Sequence, residues 1–236
     1  MKRTAIITGG TKGLGRELAL VFGRAGYTVM ALYSSDEAAA QELRNELAAA
    51  KMSGLVLRHD VRSEDPAIWN RPEIQGADEL TLVHNACANF SPTPMHQIGW
   101  PEFEKQFLVA VKGAWGCSQP LIRLMLKKKR GSIVNVLTSA IDEATPKGFA
   151  AYLTAKYALQ GFTLALAAEY AARGIKIFSV SPGYMETPLT GQWDARLREA
   201  IRANSARITL PGEAAGRIME LVADGATVGR GENYPV

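Results

Sequence analysis

The chain has 236 residues, 47% of them hydrophobic and 21% charged, with a net charge of +4 at pH 7. Such a length and composition describe a globular protein able to bury a large core, and one α/β-sized domain covering 1–236 is the first expectation. No run approaches eighteen uncharged apolar residues, and the opening MKRTAIITGG has neither an apolar h-region nor a cleavage site, so no membrane span and a cytoplasmic location are expected.

In chain order, the first element predicted is a strand at 3–8 (RTAIIT), followed by a glycine-rich turn and a helix beginning RELALVFGRAG. Further strands are expected at 28–32 (TVMAL), 54–58 (GLVLR), 80–84 (LTLVH), 132–137 (SIVNVL) and 175–180 (IKIFSV), with a weaker one near the C-terminus. Between the second and third, SSDEAAAQELRNELAAAK sets Ala40, Leu43, Leu47 and Ala50 on one stripe, and Ser34 with Glu37 reads as a capping box. Long helical stretches are expected from about 101 to 129 and 148 to 172, and shorter ones near 191–204 and 212–223. Strands alternating with helices predict βαβ units and a parallel sheet with helices on both faces, a doubly wound Rossmann-type α/β fold.

Metal and nucleic acid are not expected partners. Two cysteines, Cys87 and Cys117, with three histidines cannot supply a tetrahedral zinc site, and both read as free thiols. The run KKKR at 127–130 reads as a solvated helix end, where cations favour the dipole and Gly131 acts as the stop. No aromatic residues interleave with it in the manner of a nucleic-acid patch.

The first strand runs directly into TGGTKGLG, residues 8–15. A glycine-rich turn between a strand and a helix lets backbone approach a pyrophosphate, and the helix N-terminus offers it unpaired N–H groups. Gly9, Gly13 and Gly15 are placed there, with Thr8, Thr11, Lys12 and Leu14 beside them. Farther on, Tyr152 and Lys156 stand one helical turn apart in AAYLTAKYALQGF, on one face of the predicted helix.

The spacing T-G-x-x-x-G-x-G resembles the short-chain dehydrogenase/reductase family, and further matches follow in order along nearly the whole chain. Asp60 with Val61 resembles the family's adenine contact. HNAC, residues 84–87, is similar to its N-N-A-G segment, placing Asn85 and Ala86 at the cofactor. Tyr152-x-x-x-Lys156 matches the active-site signature. SPGYMET, residues 181–187, resembles the segment over the nicotinamide, with Pro182, Gly183, Met185 and Thr187.

The resemblance implies hydride transfer between a nicotinamide cofactor and a carbonyl. Tyr152 is then the acid, Lys156 lowers its pKa and holds the ribose, and Ser139, thirteen residues before Tyr152, donates to the carbonyl oxygen; the adjacent Thr138 is the alternative. At the end of the second strand stand Tyr33, Ser34 and Ser35, with Asp36 too far along to meet a ribose 2′-hydroxyl. With Lys12 matching a basic position, NADP(H) is expected over NAD(H). The substrate implied is a small-molecule ketone or a 3-oxoacyl thioester on a carrier protein, because Arg173 and the 127–130 run fall where carrier-protein reductases of the family present basic residues. A lid is expected at about 186–210, with Trp193, Leu189 and Leu197 as an apolar wall and Arg196, Arg198 and Arg202 in solvent. Association through the two long helices implies a homotetramer or homodimer.

Three departures accompany the resemblance. Ala110 stands where the family carries a catalytic asparagine. Cys87 replaces a glycine and reads as a small buried residue rather than a reactive thiol. The chain ends at ENYPV, short of the family's glycine-rich tail.

Overall fold

The computed structural model of the chain describes residues 1–63, 65–143, 145–224 and 229–236. Seven strands, β1 (Arg3–Thr8), β2 (Thr28–Tyr33), β3 (Gly54–Arg58), β4 (Glu79–His84), β5 (Gly131–Val136), β6 (Ile175–Ser181) and β7 (Arg230–Pro235), form one sheet in the order β3-β2-β1-β4-β5-β6-β7. Every pairing is parallel. The helices are α1 (Gly13–Arg24), α2 (Glu37–Ala49), the short α3 (Pro72–Gln75), α4 (Trp100–Phe107), α5 (Gly113–Lys128), α6 (Ala150–Tyr170), α7 (Ala195–Asn204) and α8 (Pro211–Ala223). This is the single-domain, doubly wound Rossmann-type sheet that the alternation of elements predicts.

The strands are buried on both faces, which explains their near-continuous apolar runs. Along β1, Ala5 and Ile7 enter the core beneath α1, α2 and α8, while Ile6 joins the opposite core with Met30, Leu32, Leu121 and Met125. A third cluster, with Leu137, Phe149, Leu153 and Trp193, lies beyond the C-terminal ends of the strands. Strand order reverses between β1 and β4, and the crevice at such a switch point is where open α/β sheets bind ligands.

Several local expectations change. The cap of α2 is Asp36, whose carboxylate accepts from the Ala39 N–H at 3.0 Å. Glu37 accepts from the Tyr33 hydroxyl instead, so the Ser34–Glu37 capping box does not form. Ala40, Leu43 and Leu47 are buried as expected, whereas Ala50 at the helix end is exposed. Helix α5 stops at Lys129, in the left-handed region at φ 52°, two residues before Gly131, which opens β5. The stretch expected as one helix over 101–129 is interrupted by a π-helical turn at Leu108–Lys112, and Ala110 lies in it, buried. Insertions of this kind occur often at functional sites.

Candidate active site

A long cleft crosses the C-terminal edge of β1, β2 and β4, with a volume of roughly 400 Å³. Its floor is the turn after β1. Gly15 faces Gly9: a Cβ on Gly15 would fall 2.0 Å from the Gly9 carbonyl oxygen, so only glycine fits. Gly13, at φ +51°, faces Thr187, whose Cβ would lie 3.3 Å from an added Cβ. The turn and the segment after β6 therefore close on each other across the cleft.

Most of the residues expected at the cofactor line this cleft: Gly9, Thr11, Lys12, Gly13 and Leu14 from the turn, Tyr33 at the end of β2 with Ser34 and Ser35 just after it, Asp60 and Val61, Asn85 and Ala86, Met185 and Thr187. Four do not. Thr8 is buried behind the turn, its hydroxyl oxygen accepting from the Asn85 and Ala86 N–H groups at 3.0 Å each. Gly15 is packed under Gly9. Pro182 and Gly183 line the neighbouring chamber instead. The Asn85 amide donates to the Thr8 and Gly9 carbonyls, 3.0 Å each, and so locks the glycine turn to the end of β4.

Asp36 belongs to the cleft, contrary to the expectation that it lies too far along. It is ion-paired with Lys12 at 2.8 Å, and the Lys12 ammonium holds its carboxyl below the usual carboxylate range. Arg62, which the sequence reading passed over, grips Asp60 through Nε and Nη2 at 3.0 and 2.6 Å and depresses its pKa. Its place two residues after Asp60 was the available signal.

At the inner end of the cleft stand Tyr152 and Lys156, brought to one face by the helical turn of α6. Lys156 is 3% exposed and donates to the Val136 carbonyl at 2.7 Å, and burial pushes its ammonium pKa down. Thr138 lies near enough to the Tyr152 phenol to favour its ionised form, but the phenol's pKa is raised, chiefly by burial. The expectation that Lys156 lowers it is therefore not met: desolvation of the phenolate dominates, and the same burial disfavours the charged form of Lys156. Burial likewise raises the Cys87 thiol, which suits the inert reading.

Of the two candidate hydroxyls, that of Thr138 is the one that acts on the Tyr152 phenol. Thr138 is still extended, at φ −163° and ψ 145°, and Ser139 already opens a 3-10 turn, its N–H donating to the Pro182 carbonyl at 2.8 Å. Both residues line the chamber beside Tyr152, and the backbone changes from extended to 3-10 between them.

A chamber of about 490 Å³ adjoins the cleft and shares Tyr152, Leu137, Met185, Thr187 and Leu189 with it. Trp193 and Leu197 form part of its wall, as expected. Arg196 and Arg202 are exposed, and Arg202 reaches Glu186 at 3.4 Å, whereas Arg198 is half-buried. Behind the catalytic turn, Asn233 of β7 accepts from Ser179 and Ser181 at 3.1 and 3.0 Å and donates to Asp142 at 3.0 Å. It ties the turn after Thr138 to β6, and no motif announced it.

Such a sheet, with a glycine turn at its switch point and a Tyr–Lys–hydroxyl group beside the cleft, defines a nicotinamide-dependent oxidoreductase. A short chain dehydrogenase family model matches residues 3–198, and the chain belongs to that family. Among its relatives, the oxidoreductase YohF of Escherichia coli (strain K12) is 30% identical over 208 residues, 84% of this chain and 79% of that protein. An acetoacetyl-CoA reductase of Allochromatium vinosum is 29% identical, over all of this chain and 97% of its own. Among solved structures, one described as an NAD(P)-dependent gluconate 5-dehydrogenase of Beutenbergia cavernae, with bound NADP, superimposes with a TM-score of 0.83 at 26% identity, covering 99% of this chain and 94% of that one. Among the described residues no group of three metal-ligating side chains occurs, and no helix is long and apolar enough to cross a membrane.

Proposed function

We propose that the protein is an NADPH-dependent ketoreductase, and the observation that carries this reading is the Thr138–Tyr152 pair, with Lys156, at the junction of the two cavities. The residues fit a nicotinamide dinucleotide: the glycine turn leaves room for a pyrophosphate, and Asp60, Val61, Asn85 and Ala86 line the cleft on the way to Tyr152. A bound reduced nicotinamide supplies the hydride that reaches the carbonyl carbon. Thr138 donates to the carbonyl oxygen as negative charge develops there, and Tyr152 gives that oxygen its proton, so the ketone leaves as a secondary alcohol. Lys156, buried and anchored on Val136, orients the ribose side of the site and returns positive charge to it when protonated.

Lys12, Ser34 and Ser35 at one end of the cleft support NADP(H) over NAD(H): they offer two hydroxyls and a cation that would have to exchange its Asp36 partner for a 2′-phosphate. For the substrate, a 3-oxoacyl thioester on a carrier protein is the finer reading. It is supported by Lys129 and Arg173, which the packing of Gly174 against the Lys129 carbonyl brings together at the N-terminal ends of β5 and β6. Segment 186–210, with Trp193, is read as the lid, and the protein is read as cytoplasmic. A homodimer or homotetramer is supported by exposed Trp100, Trp115, Tyr157 and Leu164 on α4, α5 and α6. Ala110 favours a second reading, a cofactor-binding protein of low turnover, because the π turn presents a methyl group where the family presents an amide.

Single-turnover oxidation of NADPH by acetoacetyl thioester tests the main reading. Tyr152→Phe is expected to lose about 10²–10⁴ in rate while binding NADPH as the parent does. A variant that reduces the ketone at the parental rate refutes the assignment.

A further inference from the structure

The chamber beside Tyr152 is built from rings. Phe90, in the loop after β4, lies almost parallel to the Tyr152 ring, centroids 4.7 Å apart with 13° between planes. Phe149 meets both edge-on, at 5.2 and 5.8 Å. Trp193 closes against Phe90 and Phe149 at 5.4 and 5.6 Å. Its indole N–H donates to the Phe90 carbonyl at 2.7 Å, so the polar edge of the ring is occupied and only carbon is left for the chamber. Three separate segments, the β4 loop, the start of α6 and the stretch before α7, thus converge on one aromatic wall.

The facing wall is aliphatic, with Leu137, Met185, Leu189, Leu197 and Ile201. Thr138 and Tyr152 are the polar groups nearest the reacting centre, and Tyr184, Thr187, Thr190, Asn204 and Ser205 add polar side chains farther along the lining. The charged side chains of the lining, Glu143 and Lys147, are half-buried and exposed, respectively. A carboxylate drawn into this chamber would give up its hydration with no buried cation to replace it. The volume of about 490 Å³ far exceeds what a methyl ketone fills.

We propose that the chamber selects an uncharged ketone carrying a ring-sized apolar substituent on its carbonyl carbon, with Phe90 and Trp193 as the residues that set this preference. The proposal rests on the ketoreductase reading above and narrows it: whatever carries the other end of the substrate, the group beyond the carbonyl is flat or bulky and apolar. A substrate of the gluconate type, as in the description of the Beutenbergia cavernae protein, does not suit these walls.

The test uses the full chain with NADPH and a matched pair of substrates, the N-acetylcysteamine thioesters of benzoylacetate and acetoacetate, with keto-gluconate as the anionic polyol. Their handles are identical and they differ only in phenyl against methyl. Rates are measured for each, and in parallel the binding of each to the cofactor-loaded protein by calorimetry. The benzoyl substrate is expected to exceed the acetyl one by about tenfold or more in kcat/KM and in affinity, the gain of a buried ring packed on rings. Trp193→Ala and the more conservative Phe90→Leu, both checked for folding by circular dichroism, are expected to shrink that ratio severalfold. Equal kcat/KM for the two thioesters, a ratio unmoved by both variants, or keto-gluconate as the best substrate overturns the proposal. Selective binding of the benzoyl thioester without reduction of any ketone upholds the chamber assignment and refutes the ketoreductase reading, so the two failures are distinct.

Discussion

Replacing Thr138 by valine keeps the shape of the side chain and removes only its hydroxyl. In the structure that hydroxyl acts on the Tyr152 phenol, favouring its ionised form, while Ser139, one residue on, has turned into the 3-10 segment. If Thr138 is the donor to the developing alkoxide, Thr138→Val removes one of the two groups that stabilise it. Loss of a single oxyanion donor in a water-poor site lowers kcat by about 10²–10³, or roughly 2.7–4 kcal/mol. The hydroxyl also favours the phenolate, so its loss leaves Tyr152 still harder to ionise and pushes in the same direction. Stability should change little, because the only cap bond surrendered is the long one to the Ala140 N–H, 3.4 Å. Ser139→Ala, by contrast, keeps the backbone bond to Pro182 and should cost no more than about threefold, an effect of less than 1 kcal/mol. The assay is single-turnover NADPH oxidation at saturating thioester, with Tm recorded for both variants. A loss in Ser139→Ala equal to that in Thr138→Val, or a Thr138→Val enzyme near the parental rate, refutes the assignment.

At the far end of the cleft, Lys12→Ala should weaken NADPH by about tenfold and leave NADH nearly unchanged, whereas Asp36→Asn, which frees Lys12 from its carboxylate partner, should tighten NADPH severalfold. Fluorescence titrations with both cofactors give the ratio, and an unchanged ratio in both variants removes Lys12 and Asp36 as determinants. His84 is buried against the Ser118 hydroxyl at 2.9 Å, and burial pushes its pKa from 6.5 down to about 3. The unfolded chain therefore binds one more proton between those values, so stability is fully present above pH 6.5 and is lost as the pH falls, by roughly 4 kcal/mol at pH 3. His84→Asn should flatten the Tm profile below that pH, and parallel profiles would count against the burial argument. Asn233→Ala removes three hydrogen bonds that hold the turn after Thr138; kcat should fall by about tenfold with KM for NADPH unchanged and a Tm loss of only a few degrees. Equal loss in cofactor binding would point to general unfolding instead.

The sheet could be read from the sequence because its strands are buried on both faces, and burial of that kind writes apolar runs such as RTAIIT and SIVNVL directly into the chain. The glycine turn was equally legible, since the approach of Gly15 to the Gly9 carbonyl leaves no room for a Cβ. Tyr152 and Lys156 could be paired because a helix converts a spacing of four into a shared face. Local chemistry was less secure. The cap of α2 fell to Asp36 rather than Ser34, and the stop of α5 to Lys129 rather than Gly131, because several residues near each end could meet the same geometric need.

By itself, the sequence determined the order of the elements, the cofactor turn and the active-site helix, all features in which the determining contacts are short in sequence or imposed by one residue type. Only the tertiary structure decided that Thr138 comes under the Tyr152 phenol's influence, that Asp36 reaches back to Lys12, and that Phe90, Phe149 and Trp193 form one wall. Phe90 and Trp193 are joined across 103 residues by a single hydrogen bond, and the titration of Tyr152 follows from what surrounds it rather than from its neighbours in the chain. A pattern of spacings carries no record of such distances, since burial and ring packing arise only when separate segments meet at the C-terminal edge of the folded sheet.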